Sequence, residues 1–115
     1  MYSGEVMKIK NFWYYKNLDC SKKENRIILV KKLCKILKTD EKPDKEELRK
    51  ICKNLSKRFN IHIINTPIEN GIKTAVFFDN EKIIIHIFSN SSYEMFAKFI
   101  ITVKMKNEEK ANGKN

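Results

Sequence analysis

The residues most capable of chemistry lie in one early stretch, WYYKNLDCSKKENR, which covers residues 13 to 26. Its aromatic rings and an amide come first, and cationic side chains follow. RNA recognition uses cations for phosphates, and polar or aromatic groups for exposed bases and sugars. We expect an aromatic strand over residues 9–15 to deliver the polar loop 16–25 to RNA. The candidate RNA contacts read from this stretch are Tyr14, Lys16, Asn17, Lys22, Lys23 and Arg26.

The charge of the chain is large and uneven. The net charge is +10, from 24 Lys and Arg against 14 Asp and Glu. Residues 1–60 hold 17 basic and 8 acidic residues, a net +9, whereas residues 61–115 hold 7 and 6, a net +1. Such asymmetry favours a polyanionic partner. The alternative is a solvated basic face that has no partner.

Residue types that support catalysis are sparse. The three glycines are too dispersed for a phosphate-binding loop. His62 and His86 fall in predicted strands without a metal-binding spacing, so a zinc site that joins them to a cysteine is only an alternative. The acids near residue 44 fit a helix N-terminus, where negative charge is favoured. The sequence therefore predicts a protein that is not an enzyme and has no cofactor or metal.

The cysteine pattern and the lengths of the apolar runs indicate the cellular compartment. Three cysteines, an odd number without C-x-x-C spacing, favour a reducing compartment over a disulfide framework. No run has signal-peptide or membrane-spanning character. We expect a cytoplasmic protein, with a nuclear or nucleolar assembly stage as a further possibility.

Periodicity predicts the elements that must position these residues. Residues 26–38 place apolar side chains at 27, 30, 33, 34 and 37, with Lys31, Lys32 and Lys35 on the other side. A second helix begins at Asp44, with Glu47 at capping-box spacing and a stripe over 48–55. Residues 59–65 alternate as a strand with one buried face. Residues 66–71 read as a loop, and two further strands flank a turn at Asp79. Ser91 with Glu94 supplies another cap, and the last helix runs from Tyr93 to about Met105.

The predicted fold class is α+β. This order of elements suits a two-layer sandwich of the β-α-β-β-α type, with an antiparallel sheet, helices on one face and an extra helix in the N-terminal half. The other sheet face should be partly open or receive the first helix. The predicted organisation is a flexible arm at 1–8, one RNA-binding domain at 9–105 and a disordered tail at 106–115.

Three stretches resemble the nineteen-kilodalton subunit of the signal recognition particle, as a divergent member. They are WYYKNLDCSKKENRI, then EKPDKEELRKICKNL with FNIHI, and IKTAVFFDNEKIIIHIFSNSSYEMFAKFI. Together they cover roughly residues 9–104. The resemblance implies a subunit that clamps the tips of two adjacent RNA hairpins and prepares the site for the signal-sequence-binding GTPase subunit. The implied partners are that RNA and, indirectly, the GTPase subunit, with no membrane contact and a monomeric state.

The resemblance also implies particular residue roles. Tyr14 matches the strand tyrosine of the family, and Lys22 and Lys23 match its loop lysines. Glu24 and Arg26 match a Glu-Gly-Arg element, so that Asn25 takes the glycine position and joins the expected RNA contacts. Where the family has a second arginine this chain has an isoleucine at position 27, and Lys31 with Lys32 would replace the missing cation.

A second hypothesis is a small protein-binding module or inhibitor. Residues 60–87 followed by a helix have the strand-then-helix shape of certain small metallopeptidases. The H-E-x-x-H motif is absent from that helix, where FIITVKMKN stands instead. The hypothesis therefore describes a degenerate, metal-free domain.

Overall fold

Three helices, a short helical segment at residues 14–16 and a three-stranded sheet make up the regular structure of the part of the chain that the computed structural model describes, residues 14–113, with side chains through residue 107. The sheet is antiparallel in the order β1-β2-β3, with helices packed against it, so the predicted α+β class is confirmed. The β-α-β-β-α topology is not confirmed, because most of its expected first strand lies outside the described residues and the described end of that strand is helical. The elements are α1 Lys23–Leu37, α2 Lys45–Arg58, β1 Ile61–Ile68, β2 Gly71–Phe78, β3 Ile83–Ser89 and α3 Ser92–Gly113.

The N-terminal predictions fall mostly outside the described residues. The expected arm at 1–8 and most of the expected strand at 9–15 lie there. The last two residues of that strand, Tyr14 and Tyr15, are helical together with Lys16. The strand prediction is therefore wrong at its described end.

Helix α2 follows its sequence signals closely. Asp44 is the N-cap, and its Oδ1 accepts a hydrogen bond from the Glu47 amide at 2.9 Å. Its apolar stripe is buried at Leu48, Cys52 and Leu55, as predicted. Basic residues occupy the last turn, where they complement the helix dipole.

Helix α1 begins earlier and is rotated relative to the prediction. It starts at Lys23 rather than at residue 26 and ends at Leu37, and its C-cap, Lys38, has a φ of 56° in the left-handed region. Leu29 and Leu33 are buried, whereas Ile27 is 47% exposed. Apolar residues surround most of this helix, so spacing alone does not determine which face is buried.

The sheet is a meander of two hairpins. Ile68 pairs with Gly71, so residues 66–68, expected in a loop, extend β1 as far as a two-residue turn at Glu69 and Asn70. A Cβ at Gly71 would lie 2.1 Å from the Ser89 carbonyl oxygen, which explains the glycine. The turn predicted at Asp79 connects β2 with β3. The prediction of one buried face is wrong for β1, because Ile61 alone of its eight residues is buried.

The core lies between the inner face of the sheet and the helices. Every residue from 97 to 103 of α3 is buried, and this segment joins one apolar cluster with residues of α1, α2 and the strands. The helix continues to Gly113, where the sequence predicted a disordered tail from residue 106. Among the described residues, no helix combines the length and apolar character needed to cross a bilayer.

Candidate nucleic-acid interface

The expected RNA loop is shorter than predicted and leads directly into α1. Asp19 organises it, because its Oδ1 accepts hydrogen bonds from the Ser21 amide at 3.1 Å and hydroxyl at 2.7 Å. These bonds lower the pKa of the Asp19 carboxyl. Asn25 donates from Nδ2 to the Asp19 carbonyl at 2.8 Å, and it lies within α1 rather than in a left-handed turn.

A buried lysine fixes this loop to the sheet. Lys98 of α3 is fully buried, and its Nζ donates to the Leu18 carbonyl at 2.5 Å and to the Phe88 carbonyl. Burial lowers the pKa of the Lys98 ammonium. The Cys20 amide donates to Asn90 Oδ1 at 3.0 Å. The start of α1 is therefore held by contacts from both α3 and the residue after β3.

Arg26 completes the connection between the loop and α1. Its Nη1 donates to the Cys20 carbonyl at 3.0 Å and to the Ser21 carbonyl at 3.2 Å. The side chain remains exposed. Because a guanidinium carries five N–H donors, these two bonds leave capacity for an additional acceptor such as a phosphate oxygen.

A groove on the outer side of α1 collects four cations. It has a volume of about 390 Å³ and is lined by Ile27 and Val30 together with the cationic side chains of Lys23, Arg26, Lys31 and Lys42. Residues 23, 26, 27, 30 and 31 follow the three- and four-residue spacing of one helix face. No carboxylate is present in this lining. We refer to it below as the basic groove.

Lys42 reaches the basic groove from the link between α1 and α2. Its Nζ lies 4.9 Å from the centroid of the Tyr93 ring, a cation–π distance. The Tyr93 hydroxyl in turn donates to the Pro43 carbonyl at 2.7 Å. Helix α3 thus positions a cation opposite those that α1 supplies.

The other predicted contacts do not line the basic groove. Lys16 is turned inward: its side chain is buried, Nζ donates to the His86 carbonyl at 3.1 Å, and burial lowers its pKa. Lys32 lies over the Tyr15 ring, with Nζ 5.7 Å from the centroid. Tyr14, Asn17 and Lys22 are exposed, but they do not line the basic groove.

The structure therefore brings together Lys23, Arg26 and Lys31 from the predicted set, and it adds Lys42, Ile27 and Val30. No sequence signal identified Lys42, because its place depends on how α3 packs. Lys98 did carry a signal, since it is a lone charge inside the apolar run FAKFIITV.

The described residues do not assemble a metal centre. No three of their His, Cys, Asp and Glu side chains form a group that could hold a metal ion. His62 pairs through Nδ1 with Asp79 at 2.5 Å, whereas His86 lies on β3, two strands away. The alternative zinc site of two histidines and a cysteine is therefore not formed.

No protein-family profile, curated protein or solved structure matches this chain. A function for it therefore rests on the chemistry of its own residues and on the geometry that brings them together.

Proposed function

We propose that this protein binds structured RNA through the basic groove on α1. The observation that carries the proposal is the grouping of Lys23, Arg26, Lys31 and Lys42 around one groove whose lining contains no acid. Four cations at one site attract phosphates, and counterion release then drives binding. Lys22 lies just before α1, where it adds to the same positive field.

The apolar part of the groove favours RNA with unpaired nucleotides over a uniform duplex. Ile27 and Val30 offer apolar surface between the cations. Sequence-specific RNA recognition targets loops and bulges, whose bases can leave the stack and contact protein surfaces. Exposed Tyr14 and Asn17, next to the loop that leads into α1, can supply stacking and hydrogen bonds to the same RNA.

The finer assignment is proposed on the resemblance alone. It names the tips of two adjacent hairpins of the signal recognition particle RNA, with the GTPase subunit as an indirect partner. In this role the protein is an assembly subunit and not an enzyme. A pair of adjacent RNA hairpins is accordingly the first probe to use.

The test compares two double variants of equal charge. Lys23→Glu with Lys31→Glu changes the basic groove, and Lys50→Glu with Lys53→Glu changes two exposed lysines of α2 outside it. Affinity for the hairpin pair is measured by fluorescence anisotropy at one salt concentration. We expect the groove variant to lose at least tenfold in affinity and the α2 variant to stay within about threefold of wild type.

Equal losses in the two variants would mean that net charge, not the groove, determines binding. Competition with a DNA duplex of matched sequence identifies the ligand class. We expect the RNA hairpins to compete at least tenfold better than the duplex. Equal competition would contradict the RNA assignment while leaving a polyanion site in place.

A further inference from the structure

The outward face of the sheet exposes large apolar side chains. We call this surface the outer face; it consists of the β1, β2 and β3 residues that point away from the helices. Ile64 is 56% exposed, Ile84 53%, Phe88 43% and Ile68 42%. In the strand register Phe77 lies opposite Ile84, and Lys73 lies opposite Phe88. Ile64, Ala75, Phe77 and Ile84 therefore form an apolar centre across the three strands. The polar residues on the same face are His62, Thr66, Lys73 and His86.

No described element covers the outer face. The side chains that pack on the helices, Val76, Phe78, Ile85 and Ile87, point to the opposite side of the sheet. Contiguous apolar surface of this kind usually marks an interaction site. The patch lies on rigid strands, so a partner meets a preformed surface.

Charge determines which partner fits the outer face. Residues 61–89, which form the sheet and its turns, hold 2 basic and 3 acidic residues, a net −1, so the rest of the chain carries +11. A nucleic acid finds one lysine on this face, Lys73, and at the turns it meets Lys82 together with Glu69, Asp79 and Glu81. A strongly acidic protein gains equally little there. A second copy of this chain brings an equally neutral, apolar surface.

We propose that the outer face is a homodimer interface, in which the sheets of two copies pack face to face about a two-fold axis. Face-to-face sheets lie about 10 Å apart. This arrangement buries Ile64 and Ile84 of both copies and leaves both α1 helices on the outside of the dimer. Each copy then keeps its basic groove open, so a dimer presents two grooves.

The size of the surface predicts a weak dimer. Two strands of eight residues and one of seven, at about 3.3 Å per residue and about 4.8 Å between strands, give a footprint of roughly 360 Å² per copy. A standard stable interface buries about 800 Å² per partner. We therefore expect dissociation in the micromolar range or weaker.

The test is sedimentation velocity on the full chain from about 1 μM to about 1 mM, which brackets such an affinity. Wild type should shift from its monomer mass of 13.7 kDa towards the dimer as concentration rises. Ile64→Lys with Ile84→Lys should remain monomeric. The matched control is Ile27→Lys with Ile28→Lys, which adds the same charge at two exposed isoleucines of α1 and should dimerise like wild type. Circular dichroism verifies that each variant folds.

The proposal is independent of RNA binding. The groove variant Lys23→Glu with Lys31→Glu should dimerise normally, and added salt should not dissociate the wild-type dimer, because apolar contacts are not screened. A wild-type monomer at every concentration overturns the proposal; residues 1–13, RNA or another protein would then be the occupant to consider. A dimer that survives Ile64→Lys with Ile84→Lys, or one lost equally in the α1 control, also overturns it.

Discussion

Replacing Lys98 by methionine removes a buried ammonium from the middle of α3 while keeping a long, unbranched side chain. In wild type that ammonium bonds the Leu18 and Phe88 carbonyls, and so it connects the segment before α1 with β3. Hydrogen bonds that involve a charged group contribute about 1.5–3 kcal/mol each, so the gross loss is roughly 3–6 kcal/mol. The substitution also removes the cost of burying a charge, and this offsets part of that loss of stability. The expected net loss of stability is about 3 kcal/mol, a large share of the usual 5–15 kcal/mol.

The measurement is urea unfolding followed by circular dichroism. With a slope of about 1.5 kcal/mol per molar urea, the midpoint should fall by about 2 M. Lys104→Met is the control, because Lys104 is an exposed lysine of the same helix and should change the midpoint little. A Lys98→Met protein as stable as wild type would refute the reasoning, because the buried ammonium would then cost as much as its bonds contribute.

The pH dependence of the same pair gives an independent check. Burial lowers the pKa of Lys98 in the folded protein below its ordinary value of 10.5. Between the lowered pKa and 10.5 the unfolded state binds more protons than the folded state, so this group's contribution to stability rises with pH across that window. The stability of wild type relative to Lys98→Met should therefore increase as pH approaches 10.5. A flat difference would contradict the shift.

Three further experiments, two on stability and one on thiol reactivity, have expected outcomes. Gly71→Ala places a methyl group against the Ser89 carbonyl, so the melting temperature should fall by several degrees, equivalent to about 1–3 kcal/mol for an overpacked site. Asp44→Ala removes the α2 N-cap and should cost about 1 kcal/mol in the same urea assay, with an unchanged slope. Burial raises the pKa of Cys52 to about 12, so alkylation at pH 8, read by mass spectrometry, should modify the half-buried Cys34 first and reach Cys52 only on unfolding.

The parts of the fold that local chemistry determines were predictable. Asp44 with Glu47 marks the start of α2, and the stripe of Leu48, Cys52 and Leu55 identifies its buried face. The hairpin of β2 and β3 and the apolar core of α3 followed in the same way. In each case one short pattern decides the outcome, without information from distant residues.

The parts that depend on packing were not predictable. Apolar residues lie around most of α1, so spacing alone does not decide that Leu29 is buried and Ile27 is exposed, and the packing of α3 decides it. The alternation of β1 suggested a buried face, but β1 is an edge strand and is largely uncovered.

The residues of the candidate site fall into the same two groups, those that the local sequence indicates and those that tertiary packing brings into place. Lys23, Arg26 and Lys31 were visible as a charge cluster in the sequence. The positions of Lys42 against Tyr93 and of Lys16 against β3 arise from contacts over about 50 and 70 residues of chain.

The salt dependence of RNA binding tests the central claim most directly. If the four cations of the basic groove each neutralise one phosphate, log K should fall with log salt at a slope of roughly −2.8 to −3.6, an affinity loss of about 50- to 150-fold between 50 and 200 mM. Removing two of the cations in Lys23→Glu with Lys31→Glu should reduce that slope by at least half, and Lys50→Glu with Lys53→Glu should leave it unchanged. A slope near zero in wild type, or one that the groove variant retains in full, would contradict the account.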